Sequence, residues 1–366
     1  MNLTALLEQY GESVALASGG LLIGVLFGFF AQRSRFCLRA AVIEFWHRQL
    51  GEKISVWLLA FASAVVAVQA LILMQGLDVS TARQLASRGS LSGALIGGLF
   101  FGAGMIMTRG CASRLLVLSA NGNLRALLSG LIFAVTAQAS LSGALSPLRS
   151  TISGWWTVDG GSARDLLAIT GAGHWGGLTF GLLWLVAALY FSIRSGWGFW
   201  KWVGGIGTGL TIAAGWFYTY QISTSTFEVV QVQGLTFSGP SAEWLMRVLT
   251  TPSPAIGFDF GLLPGVFAGS FIGALVGKDL KLEGFKDGYS MTRYILGAIL
   301  MGFGSMLAGG CAVGAGMTGG SIFALTAWIA LAGMWAGAGV MDRWLDPVTV
   351  PAASAQAPGE PVTQAP

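Results

Sequence analysis

Charge is scarce in this chain. Only 10% of its 366 residues are Asp, Glu, Lys or Arg, where an ordinary soluble domain carries roughly 25%. Hydrophobic residues make up 54% and mean hydropathy is +0.69, so an ordinary soluble domain is excluded and no nucleic acid is expected as a partner. Metal-binding residues are scarce as well: there are two His and three Cys. Cys37, Cys111 and Cys311 show no CxxC spacing, and neither His47 nor His174 stands near a cysteine at ligand spacing. No metal or cofactor is expected. An odd number of thiols in an apolar chain points to reactive groups rather than to a structural disulfide framework. Of the ten prolines, five fall in residues 346–366, a polar tail with little to pack that reads as disordered.

What remains is long apolar runs. Windows long enough to cross about 30 Å of hydrocarbon lie near 14–32, 54–76, 91–107, 124–145, 172–193, 202–220, 260–277, 291–308 and 322–341. They predict an all-α polytopic membrane protein with about nine spanning helices and the lipid bilayer as its surroundings. Four shorter apolar pieces, near 37–47, 111–120, 240–250 and 311–320, are too short to span. Beside Gly or Pro, such pieces mark broken or re-entrant helices around a membrane site. No cleavable signal is expected, because the first run follows Glu8 and Glu12 and continues into Arg33-Ser34-Arg35. Lys278, Lys281, Lys286 and Arg293 share one loop, which reads as cytoplasmic. The stretch 147–170, with Trp155, Trp156, Asp159, Arg164 and Asp165, reads as an interfacial loop.

The chain also repeats itself. Gly97, Gly102, Gly104, Gly110, Cys111 and Ala112 recur 200 positions later as Gly297, Gly302, Gly304, Gly310, Cys311 and Ala312. Shifting by 201 lays Phe36-Cys37 over Phe237-Ser238 and Ala41 over Ala242, a weaker match that would put Ser238 in the fourth place beside three thiols. Two pseudo-symmetric inverted halves follow, at 1–150 and 195–345, joined by an interfacial loop and linking helix over 151–194. The two glycine–cysteine breaks are expected to face one another near the bilayer midplane.

Gly before Cys permits a sharp break and close backbone approach. The residue after it opens a helix whose free N–H groups and positive end favour an anion or a thiolate. Arg109 and Arg114 flank Cys111, and Arg33, Arg35 and Arg39 flank Cys37. Such cations stabilise a thiolate, and deep in a bilayer they need a polar cavity or a partner. Arginines at helix ends also snorkel to head groups, and Glu44 is an alternative, structural partner for Arg109.

The run Gln32-Arg33-Ser34-Arg35-Phe36-Cys37-Leu38, the Gly239-Pro240 that follows Phe237-Ser238, and Met301-Gly302-Phe303-Gly304 leading to Ala308-Gly309-Gly310-Cys311-Ala312 resemble the YeeE/YedE membrane family, the sulfur transport domain proteins. The resemblance implies a bacterial inner (cytoplasmic) membrane protein of two halves in an hourglass shape. It implies uptake of thiosulfate or a related sulfur-containing anion along a path of spaced thiols, here Cys37, Cys111 and Cys311, with a cytoplasmic TusA-like sulfurtransferase as partner. Ser238, Arg35, Arg109, Arg114, Gly110 and Gly310 complete the expected binding set. In the family the first-half element commonly reads like the second, whereas here it is Thr108-Arg109-Gly110-Cys111-Ala112-Ser113-Arg114. The alternative function is a sulfur relay, in which a cysteine persulfide forms and is handed to a cytoplasmic sulfurtransferase.

Overall fold

A computed structural model describes residues 11–345 apart from 50, 195, 227, 251–256 and 285–287. The expected disordered tail and Lys286 lie outside the described residues. Among the described residues, eight helical segments are long and apolar enough to span a membrane: Glu12–Trp46, Glu52–Leu73, Leu91–Ala120, Leu124–Ser142, Gly173–Arg194, Phe258–Gly277, Ser290–Gly319 and Leu325–Leu345. The ninth window, 202–220, lies within the 27-residue helix Phe199–Ser225, where Lys201, Gln221 and several Thr and Tyr dilute the apolar run.

Three of the eight spans are broken. Glu12–Ser34 gives way to Leu38–Trp46, Leu91–Met107 to Ala112–Ala120, and Gly288–Leu307 to Ala312–Gly319, which winds as a π-helix. The fourth short helix, Ser238–Thr250, follows a non-helical segment after Phe199–Ser225. All four coincide with the short apolar pieces of the sequence.

Helix pairing is set by small residues, as expected where lipid tails remove any hydrophobic drive between helices. A Cβ at Gly20, Gly24 or Gly28 would run into the carbonyl oxygens of Phe258, Leu262 and Val266. Reciprocally, one at Gly261, Gly265 or Gly269 would meet those of Ala17, Leu21 and Val25. The helices Glu12–Ser34 and Phe258–Gly277 therefore interlock backbone to backbone, running in the same direction. The repeated helices behave differently: Gly97 abuts Gly304 and Ala308, while Gly104 abuts Gly297 and Met301. Numbering rises on one as it falls on the other, so the two copies are antiparallel.

The breaks do not face one another. Gly93 packs on the Leu307 carbonyl and Gly297 on Met107 and Thr108, which puts the breaks at opposite ends of the antiparallel pair. The reason is where the glycines stand. The closest approach is made by Gly97, Gly104, Gly297 and Gly304, about two to four turns before either cysteine.

The stretch 147–170 is more than a loop. It folds as Ser146–Gly154, a short strand Thr157–Val158 paired antiparallel with Gly89–Ser90, a 3-10 turn Gly161–Arg164, and Leu166–Thr170. Arg164 is buried there. Its guanidinium donates to the Ser87 carbonyl at 2.6 Å and to Thr326 Oγ1 at 2.6 Å, pinning this segment to the last spanning helix. Trp155 and Trp156 are exposed beside it.

Candidate functional site

All three cysteines leave the backbone at the same kind of turn. Each preceding helix ends on a left-handed residue: Arg35 (φ 54°), Arg109 (φ 58°) and Gly309 (φ 78°). The next amide closes back five residues, Phe36 to the Ala31 carbonyl at 3.1 Å, Gly110 to Met105 at 3.2 Å and Gly310 to Ser305 at 2.9 Å, the bond that ends many helices. The residue after that is the cysteine, and each one is the N-cap of the short helix that follows. The usual N-cap oxygen accepts a bond from an exposed helical N–H. Cys311 Sγ takes that role toward the Gly314 amide at 3.5 Å, and Cys111 Sγ lies 3.4 Å from Ser113 Oγ.

Ser238 opens the fourth short helix. It is 2% exposed, and its Oγ is 3.5 Å from Thr236 Oγ1. The fold thus places three thiols and one hydroxyl at the starts of four short helices, where amide dipoles favour negative charge.

These groups form two clusters. In the first, the Cys37 and Cys111 thiols face one another, with the Arg114 guanidinium beside both. Arg114 Nη1 donates to Gln32 Oε1 at 3.4 Å, Gln32 Nε2 donates to Asp279 Oδ2 at 3.4 Å, and Arg35 Nη2 stands 3.7 Å from Asp279 Oδ1. A cavity of about 210 Å³ opens here, lined by Gln32, Arg35, Arg114, Asn121, Asp279 and Lys281 among others.

The second cluster surrounds Cys311. Thr236 packs so closely on Gly314 that a Cβ there would strike its hydroxyl, and Thr318 Oγ1 donates to the Leu235 carbonyl at 2.6 Å. The segment carrying Ser238 is thereby held against the helix that Cys311 caps. Two cavities of about 250 and 230 Å³ meet Gly309, and both are lined by Arg83, Gln84 and Arg149. Ser238, Thr236 and Asp259 line the second. Asp259 and Asp279 bracket the helix Phe258–Gly277, whose 20 residues span about 30 Å at 1.5 Å per residue, so the two clusters open at opposite ends of the molecule.

Among the expected binding residues, Arg109 stands apart. Its side chain is exposed and its charge is felt by Arg39 and Tyr294 rather than by the thiols. The structural alternative also loses its partner: Glu44 Oε2 accepts the Lys53 and Ile54 amides at 2.9 Å each. Gly110 and Gly310 differ in their surroundings. A Cβ on Gly110 would meet the flexible Leu115 Cδ2 at 3.3 Å, whereas one on Gly310 would meet the Ala315 amide nitrogen at 2.7 Å.

Sequence reasoning did not single out Gln32, Asp279, Thr236, Arg83 or Arg149 for the site. Gln32 and Thr236 stand within five residues of Cys37 and Ser238, a proximity that offered a signal. Arg83, Arg149 and Asp279 come from segments remote from any cysteine and carry none.

Thiols at helix starts, two of them buried and Cys37 half-buried, flanked by arginines and by cavities at both ends, define a multi-pass membrane protein with an interior suited to a small anion. Among the described residues no His, Cys, Asp or Glu group could hold a metal. The Sulphur transport family model matches residues 33–340, and the chain belongs to that family. It is 28% identical over 351 residues to a thiosulfate transporter, TsuA, of Spirochaeta thermophila, covering 88% of this chain and 98% of that protein. It is 26% identical over 353 residues to the TsuA of Escherichia coli, covering 86% and 92%. A probable transporter of Escherichia coli, YedE, is 34% identical over 142 residues, 35% of each chain.

Proposed function

We propose that this protein takes up thiosulfate, or a sulfur anion of similar shape and charge, across the bacterial inner membrane, with Cys311, Cys111 and Cys37 as successive contacts. The observation that carries the reading is the turn shared by all three thiols, which sets each S–H at the positive end of a helix. A polarizable thiol there donates to an anion without binding it irreversibly. Ser238 supplies the fourth polar group, next to Cys311, and Arg114 supplies the positive charge, next to Cys37 and Cys111. Residues 1–150 and 195–345 are taken as inverted halves, with Cys37 and Cys111 in the first and Ser238 and Cys311 in the second, each cavity also drawing residues from the other half.

Lys278 and Lys281 lie at the Asp279 end, so the positive-inside tendency sets that end in the cytoplasm and the Arg83 and Arg149 cavities outside. Entry of a dianion into a negative-inside cell is opposed by about 4.6 kcal/mol per 100 mV. Consumption of the anion by a cytoplasmic TusA-like sulfurtransferase offsets that opposition.

The test is uptake into proteoliposomes of thiosulfate labelled separately at each sulfur. Both labels should enter together. Entry of the outer sulfur alone, with sulfite left outside, would replace transport by a sulfur relay through a cysteine persulfide.

A further inference from the structure

The outer cavity holds a carboxylate as well as arginines, an awkward neighbour for an incoming dianion. Asp259 lies in the first turn of Phe258–Gly277 and lines the 230 Å³ cavity together with Arg83, Arg149, Glu243 and Ser238. Its Oδ1 atom is buried and has no hydrogen-bond partner among the described residues. An ionised carboxylate in that position does two things to an arriving anion. It repels the anion directly, and it draws on the positive charge of Arg83 and Arg149 that the anion needs. A protonated Asp259 does neither, and its O–H becomes a donor directed at the same space.

Resting on the uptake reading above, we propose that Asp259 is the proton acceptor of the outer anion site: capture of the anion takes up one proton from the outside solution onto the Asp259 carboxyl. No bond other than O–H forms, and the proton returns to solution when the anion leaves the cavity.

The surrounding charges favour this linkage. From Ser238–Thr250 come Glu243 and Arg247, the latter 4.0 Å from the Glu243 carboxylate, so that arginine is already engaged. From Glu12–Ser34, packed along the same helix, comes Glu12 at the same end, with Glu228 beside it. Arg83 and Arg149 face Asp259 across the cavity. Arg114, on the Ala112–Ala120 helix that also packs against Phe258–Gly277, belongs to the cytoplasmic cavity, as does Asp279 beyond the far end. The positive end of its own helix favours the ionised form, and the anion competes for that same end.

Calorimetric titration of the purified full chain in detergent with thiosulfate, repeated in buffers of different ionisation heat, reads the protons taken up per anion bound. Native protein should take up close to one proton per anion at the alkaline end of the range, its affinity falling up to tenfold per pH unit there. D259N, neutral at every pH, should bind with an affinity that does not vary with pH. E243Q should move the fall in affinity to lower pH, because one repelling charge on Asp259 has gone. Native binding with no proton uptake and no pH dependence overturns the proposal and leaves the uptake reading standing, as does a D259N pH profile that matches the native one. Absence of thiosulfate binding at every pH overturns both. If D259N does not fold, the native proton count and the E243Q shift decide.

Discussion

Left-handed backbone is the residue-scale signature of the site, and two of its three instances were hidden. Gly309 advertises its conformation, since glycine adopts positive φ freely. Arg35 and Arg109 do not, because a side chain there is strained by roughly 1–2 kcal/mol. Arg109→Gly should therefore raise the melting temperature, with a net gain of up to about 1 kcal/mol after glycine's extra chain entropy, and leave the concentration for half-maximal uptake near native. Arg114→Gln should do the opposite, raising that concentration with little change in melting. Thermal unfolding and uptake measured on both variants distinguish an arginine that only shapes a turn from one that an anion contacts.

The thiol at Cys311 is 1% exposed and contacts the Gly314 amide, so its replacement is read through chemistry rather than solvent. Cys311→Ala should abolish uptake at a normal amount of protein in the membrane. Cys311→Ser should keep little, a hydroxyl being shorter and less polarizable. Either variant importing at the native rate would remove Cys311 from the path.

At the scale of the element, long apolar runs marked the spans and apolar pieces too short to span marked the breaks. The short helices Leu38–Trp46, Ala112–Ala120, Ser238–Thr250 and Ala312–Gly319 lie where apolar pieces too short to span were read. What was not legible was the winding of the last as a π-helix, or the folding of 147–170. Gly314 of the first packs under Thr236, and the second is held by Arg164 reaching Ser87 and Thr326, contacts between segments far apart in sequence.

The repeated glycines before the two cysteines look equivalent in sequence, yet the structure makes them unequal. Gly310→Ala forces a methyl onto the Ala315 backbone and should destabilise by about 1–3 kcal/mol, the usual range for overpacking. Gly110→Ala meets only the end of Leu115 and should cost less than about 1 kcal/mol. Equal losses in thermal unfolding would show that the two breaks are packed alike.

At the scale of the whole molecule, the repeat predicted two inverted halves; what the structure gives is the antiparallel packing of Leu91–Met107 on Gly288–Leu307. What the repeat did not show is that the two helices pack along their whole lengths, which carries the breaks at their C-terminal ends to opposite ends of the pair. That separation sorts the thiols into a facing pair and a solitary one. A mild oxidant should join Cys37 to Cys111, arrest uptake and release it again on reduction, with peptide mapping showing Cys311 unjoined. A disulfide from Cys311 to either of the others would contradict the two-cluster arrangement.

The glycine face of Leu91–Met107 also has a timetable. Gly97 and Gly104 complete their packing on residues about 200 positions later in the chain, and at roughly 5–20 residues per second a ribosome needs ~10–40 s to supply them. For that interval the first half stands in the bilayer with a bare glycine groove and a broken helix whose end is not yet covered. The newborn chain is then a substrate for quality-control proteases and for membrane insertion factors, and its exposure is fixed by the distance between the copies rather than by the stability of either one.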